Sequence, residues 1–141
     1  MEVKIKADKF FELQRKVYSK CKEFDKKNGS SECGLAISDY SESLMIRAGF
    51  YGKDSRKIRK SGVMIIPNPD KIAESHILEI KKRFNLPTTI EKIKADILNK
   101  TIDKDVGIKL IKERERQQRY VNGGKYGVEL FLEELKISQL P

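Results

Sequence analysis

The sequence predicts an α+β domain: a small, mostly antiparallel sheet of about four strands, covered by an N-terminal helix and followed by a helical C-terminal half. Three observations predict it. Residues 2–6 alternate apolar and charged side chains with the period of a half-buried strand. From Asp8 to about Lys27 the apolar spacing becomes helical. From Pro67 to Lys100 two more helical patterns follow, each with its own start signal. At 141 residues the chain suits one domain over 1–141, with a β-α-β-β-β part at 1–66 and a helical part at 67–141.

In the first strand Val3 and Ile5 point one way and Glu2, Lys4 and Lys6 the other. The first helix starts at Asp8, a plausible N-cap, and keeps Phe10, Leu13, Val17, Cys21 and Phe24 on one stripe, flanked by Phe11 and Tyr18. Its outer face carries Lys9, Lys16, Lys20 and Lys27, with Glu12 to Lys16 and Glu23 to Lys27 at ion-pair spacing. Asn28, Gly29, Ser30 and Ser31 end it. Leu35, Ala36 and Ile37 suggest a second strand and 44–51 (LMIRAGFY) a third, with the polar Ser38 to Ser43 segment as a hairpin connection. Val63 to Ile66, apolar throughout, reads as a central fourth strand that Pro67 terminates.

Asn68 and Pro69 open the next helix as N-cap and first residue, with Ile72, His76, Ile77, Ile80 and Phe84 on its inner face. Asn85 and Pro87 end it, and Thr88 with Glu91 forms a capping box for a helix carrying Ile90, Ile93 and Ile97 inward. Thr101 and Asp103 offer caps for another, with Val106, Leu110 and Ile111 inward. Residues 112–119 (KERERQQR) contain no apolar side chain and read as a solvated extension. Asn122, Gly123 and Gly124 predict a break, after which Val128, Phe131, Leu132 and Leu135 make a short amphipathic helix; a strand over 127–132 competes.

Thirty basic residues against 21 acidic ones leave a net charge of +9. A surplus of that size favours nucleic acid, an acidic protein surface or an anionic membrane surface as partner. No apolar run approaches the roughly 20 residues of a membrane span, and the N-terminal residues lack a signal-peptide core, so a cytoplasmic protein with no membrane partner is expected. Cys21 and Cys33 have no further Cys or His pair to complete a zinc site, and no metal or cofactor is expected. Cys21 sits on an apolar helix face, where a thiol behaves as a small hydrophobe.

Residues 52–60 (GKDSRKIRK) set five basic side chains against Asp54. Read as a strand-connecting loop, this segment makes Lys53, Arg56, Lys57, Arg59 and Lys60 candidate phosphate contacts, because such crowding is relieved by a polyanion. Tyr51 and Phe50 just before it offer a stacking surface for unpaired bases, and Lys16 and Lys20 extend the positive field. Gly49 to Gly52 resembles part of an RNA-recognition sheet motif, without that motif's further aromatics. In 112–119, Glu113 and Glu115 nearly cancel Arg114, Arg116 and Arg119, which suits a solvated helix.

Three other patterns carry less. The helix, break and helix of 69–100 has the order of a helix-turn-helix, but Ile90 falls one position early and Lys81 stands where a small residue packs. An ordinary helical hairpin is the simpler expectation. Pro69, Asp70, Glu79, Ile80 and Lys81 resemble the PD-(D/E)xK pattern of metal-dependent nucleases, which implies Asp70 and Glu79 on Mg²⁺ and Lys81 at the attacking water. That pattern requires a strand at 76–82, against the helical period there. His76 is the single histidine and lies on an apolar face, so it reads as a satisfied, partly buried side chain. No catalytic residue is expected. The expected function is non-enzymatic nucleic-acid binding, non-specific or shape-specific, with RNA or single-stranded DNA preferred. The alternative is a protein-interaction module, docking an acidic partner or forming a homo-oligomer through the C-terminal helices.

Overall fold

The computed structural model describes residues 1–53, 55–84 and 89–141. In chain order these form β1 (Glu2–Lys6), α1 (Ala7–Asn28), α2 (Glu32–Arg47), α3 (Ser55–Ser61), β2 (Val63–Pro67), α4 (Pro69–Arg83), α5 (Ile90–Leu98) and α6 (Lys104–Ile137). The architecture is therefore mostly helical, with a two-stranded antiparallel sheet in place of the expected four strands. β1 pairs with β2 in a register that sets Val3 opposite Ile66 and Ile5 opposite Met64. All four of these side chains are fully buried, whereas Lys4 and Ile65 face outward. β2 is thus half-buried, not central, because one face of a two-stranded ribbon stays open.

The main correction concerns 35–51. The expected second strand and the first half of the third, 44–47, lie in one helix, α2, with their hairpin connection as its middle, and 48–51 form the turn that follows. Cys33, Ala36, Ile37, Tyr40, Ser41, Leu44 and Met45 are buried, a repeating three-and-one spacing that makes one helical stripe. The β-prone clusters at each end hid that stripe, since Leu35 and Ile46 are exposed and do not belong to it. No side chain at Ser31 caps α2. Asp25, in the last turn of α1, does so instead: its carboxylate accepts from the backbone N–H of Cys33 at 3.1 Å and Gly34 at 2.9 Å, and from Ser30 Oγ at 2.9 Å. One acid therefore satisfies two unpaired donors of α2 and fixes its angle to α1.

α6 runs unbroken for 34 residues, through the expected break at Asn122, Gly123 and Gly124. The strand alternative for 127–132 is excluded with it. The three glycines face the core. A Cβ on Gly123 would sit 3.1 Å from Phe24 of α1, one on Gly124 2.8 Å from Ile80 of α4, and one on Gly127 3.1 Å from Cys21 Sγ and from both Sγ and O of Cys33. Burial of Val128, Phe131 and Leu135 against these helices outweighs the roughly 1 kcal/mol that each helical glycine costs.

α1 begins at Ala7, with Lys6 in the N-cap position, and touches β1, but its buried stripe packs mainly on α2 and α6. Its ion pairs also differ from the expected ones. Glu12 meets Lys9, and Lys16 reaches across to Glu134 of α6. α4 starts at Pro69 as expected, but Asn68 adopts a left-handed φ of 44° and does not cap with its side chain; its Oδ1 accepts from the Met1 amine. The expected stop at Asn85 and Pro87 and the Thr88 half of the capping box lie outside the described residues. Thr89 caps α5, its Oγ1 accepting from Lys92 N at 3.2 Å. α5 packs on α6, not back on α4, with Ile97 over Gly107, so 69–100 is not a closed helix-turn-helix unit.

Two stability predictions follow from these contacts. Gly127→Val should destabilise by about 1–3 kcal/mol in urea unfolding, because the Cys33 carbonyl cannot swing aside as a side-chain end could. Helix propensity alone predicts the opposite sign. Asp25→Ala should cost roughly 2 kcal/mol, with Asp25→Asn less damaging because one oxygen remains to accept.

Candidate functional site

Of the basic segment at 52–60, residues from Ser55 form a short helix, α3, joining α2 to β2. It does not connect two strands, and the expected loop is corrected accordingly. Its one buried side chain, Ile58, anchors it to the body. Gly62, at a left-handed φ of 68°, then turns the chain directly into β2, and its carbonyl accepts from Ala7 N at 2.8 Å. α3 is thereby held against the end of the two-stranded sheet. Helical geometry sends Arg56 and Lys60 roughly 200° away from Ile58, onto the solvent face, while Lys57, Arg59 and Ser61 flank the anchor.

The open face of the sheet forms the floor of a groove. Its central depression, of about 620 Å³, is bounded by Lys4, Ile65 and Pro67 of the sheet, Arg47 at the end of α2 and Gly49 just after it, and Lys57 of α3. Three cations border an apolar floor there, and no carboxylate lines it among the described residues. Ile65 is 47% exposed, a large apolar side chain left open to solvent. A second depression of about 400 Å³ adjoins this one through Ile58 and Ser61 and brings Lys6, Arg59 and Phe50 together, with Asp8 as its acid. A third, of about 410 Å³, adjoins the first through Arg47 and Pro67 and opens between α2 and α4.

The groove gathers some of the expected contact residues and leaves others aside. Lys57 and Arg59 line it. Tyr51 stands at its edge, 65% exposed, its ring edge-on to Phe50 at 5.2 Å, and Phe50 is braced in turn by Phe11 at 5.5 Å. Lys53, Arg56 and Lys60 are exposed beside the groove. Lys16 and Lys20 lie on α1, where the Lys16 ammonium is held 3.4 Å from Glu134, and neither borders the groove. Lys4, Lys6 and Arg47 were not singled out by sequence. The alternation of β1 already placed Lys4 and Lys6 outward, but nothing local showed that Arg47 would meet them.

The other candidates resolve differently. Glu79 and Lys81 lie on helix α4 and Asp70 pairs with Lys136 at 2.6 Å, so the strand that the nuclease-like pattern requires is absent. No group of three or more His, Cys, Asp or Glu side chains able to hold a metal ion occurs among the described residues. His76 Nε2 lies 2.9 Å from Ser43 Oγ, and its ring meets Tyr40 edge-on at 5.7 Å. Cys21 and Cys33 are both buried free thiols, and the hydrogen bond with Cys21, followed by burial, pushes the Cys33 thiol well above its ordinary value. Of Val128, Leu132 and Leu135, the apolar residues of the terminal helix behind the expected interaction surface, Val128 and Leu135 are fully buried within the chain and Leu132 is partly buried against the core. Among the described residues no helix is long and apolar enough to cross a membrane. No protein-family model matches the chain, and no curated protein or solved structure matches it.

Proposed function

We propose that this protein binds nucleic acid non-enzymatically, with single strands preferred, in the groove between the open sheet face and α3. The supporting observation is the groove itself: Lys4, Lys6, Arg47, Lys57 and Arg59 converge along an apolar floor whose central part has no lining carboxylate among the described residues. Such a row tracks a phosphate backbone, each contact releasing condensed counterions. Ile65 offers an apolar surface to sugars or bases, and Tyr51 at the rim offers a ring for stacking. The exposed ring favours a single strand over a duplex, whose stacked bases would not reach Tyr51.

An acidic protein surface is the competing occupant, since the same cations would serve it. The aromatic at the rim favours bases over carboxylates.

Fluorescence anisotropy with short labelled oligonucleotides at several salt concentrations tests this reading. For four phosphate contacts the expected slope of log K against log salt is about −3, at roughly −0.7 per contact on a single strand. Lys4→Ala with Arg47→Ala should weaken binding about tenfold and flatten the slope by about 1.4, the share of two contacts. Arg56→Ala with Lys60→Ala, on the outer face of α3, should change affinity much less. Equal losses from both pairs would point to diffuse charge and remove the groove. Polyglutamate competing as well as oligonucleotide would transfer the site to an acidic protein.

A further inference from the structure

The depression between α2 and α4 differs in chemistry from the rest of the groove. Ser43 and Arg47, one turn apart on α2, face Lys71, Ser75 and His76 on α4 across a cleft of about 410 Å³. Two hydroxyls, an imidazole, a guanidinium and an ammonium thus converge, with Pro67 and Asn68 closing one end. His76 Nε2 lies 2.9 Å from Ser43 Oγ; as the Nε2–H tautomer it donates to that oxygen and leaves the Ser43 proton for a ligand. Neither Arg47 nor Lys71 has an ion-pair partner among the described residues. Glu79 is the single carboxylate of the lining and lies roughly 12 Å along α4 from Lys71, from the helical rise.

This set offers donors at several angles to a compact anion, and its large apolar lining is limited to Pro67 and Ile72. We propose that the cleft binds a phosphate monoester, with Arg47 and Lys71 supplying charge and Ser43 and Ser75 supplying hydroxyl donors. Arg47 borders both the cleft and the central groove, so a strand lying in the groove would deliver its terminal phosphate here. The source of the phosphate, a strand end and not a free nucleotide, rests on the nucleic-acid reading; the cleft's chemistry does not. A terminal phosphate also differs from the internal diesters of the groove in carrying a second negative charge, which two cations are suited to meet.

The test uses one oligonucleotide sequence with a 5′-phosphate, a 3′-phosphate or hydroxyls at both ends, together with a nucleoside monophosphate and inorganic phosphate in calorimetry. One phosphorylated end is expected to bind about tenfold tighter than the hydroxyl form. Lys71→Gln, an exposed substitution away from the central groove, should erase that difference while leaving the hydroxyl form's affinity unchanged. Glu79→Gln should widen the difference, a gain that damaged folding would not produce. Equal affinity for all three ends, with no nucleoside monophosphate bound, overturns the cleft and leaves the groove reading intact. Lys71-dependent binding of the nucleoside monophosphate without oligonucleotide binding supports the cleft, assigns it to a free phosphomonoester and overturns the groove.

Discussion

Gly123, Gly124 and Gly127 on one face of α6 let Phe24 of α1, Ile80 of α4 and Cys21 and Cys33 of α1 and α2 approach the long helix more closely than a Cβ there would permit without displacing them. The three shorter helices therefore pack around a common axis, and the core that results takes in Phe10, Tyr40, Leu44, Phe131 and Leu135. Phe10 and Tyr40 each meet Phe131 edge-on, at 5.4 and 5.9 Å, so the ring from α6 ties α1 and α2 together just beyond the glycines. The inner face of the two-stranded sheet closes this core, which leaves its outer face to solvent.

Placement of the candidate site follows from that packing. Asp25 caps α2 from the end of α1, Tyr40 donates its hydroxyl to the Pro69 carbonyl at 2.9 Å, and α2 is thereby held between α1 and α4. Burial pushes the Tyr40 phenol well above its usual range, so it remains a donor at any physiological pH. With α2 held at its start by Asp25 and at its middle by Tyr40, Arg47 emerges beside Pro67, at the junction of the sheet groove and the α2–α4 cleft. A residue at the end of a helix thus joins two surfaces that are far apart in sequence.

Much of the site was visible locally, but not its convergence. The basic segment around α3 stood out by charge, and the outward position of Lys4 and Lys6 followed from the alternation of β1. Which faces of α3 are used is not legible in sequence, because its residues read there as a loop and a loop has no face. Lys16 and Lys20 share the same charge signal and yet lie elsewhere, one of them engaged by Glu134. Charge composition measures how many cations a chain carries and says nothing about which of them become neighbours.

By itself the sequence determined the elements whose signals are local: β1 by alternation, α1 and α4 by apolar stripes, the α4 start by Pro69, and β2 as a short apolar strand. Tertiary structure alone decided three things. It paired β1 with β2 across an intervening pair of long helices, a contact that no local pattern encodes. It made 32–47 one helix, because a stripe with exposed Leu35 and Ile46 beside it is ambiguous until Asp25 and the faces of α1 and α6 are present. It carried α6 through Gly123 and Gly124, since the local cost of glycine is fixed by the backbone while the compensating close approach depends on three other helices. Local propensity is a sum over neighbours in sequence, and each of these outcomes was settled by neighbours in space.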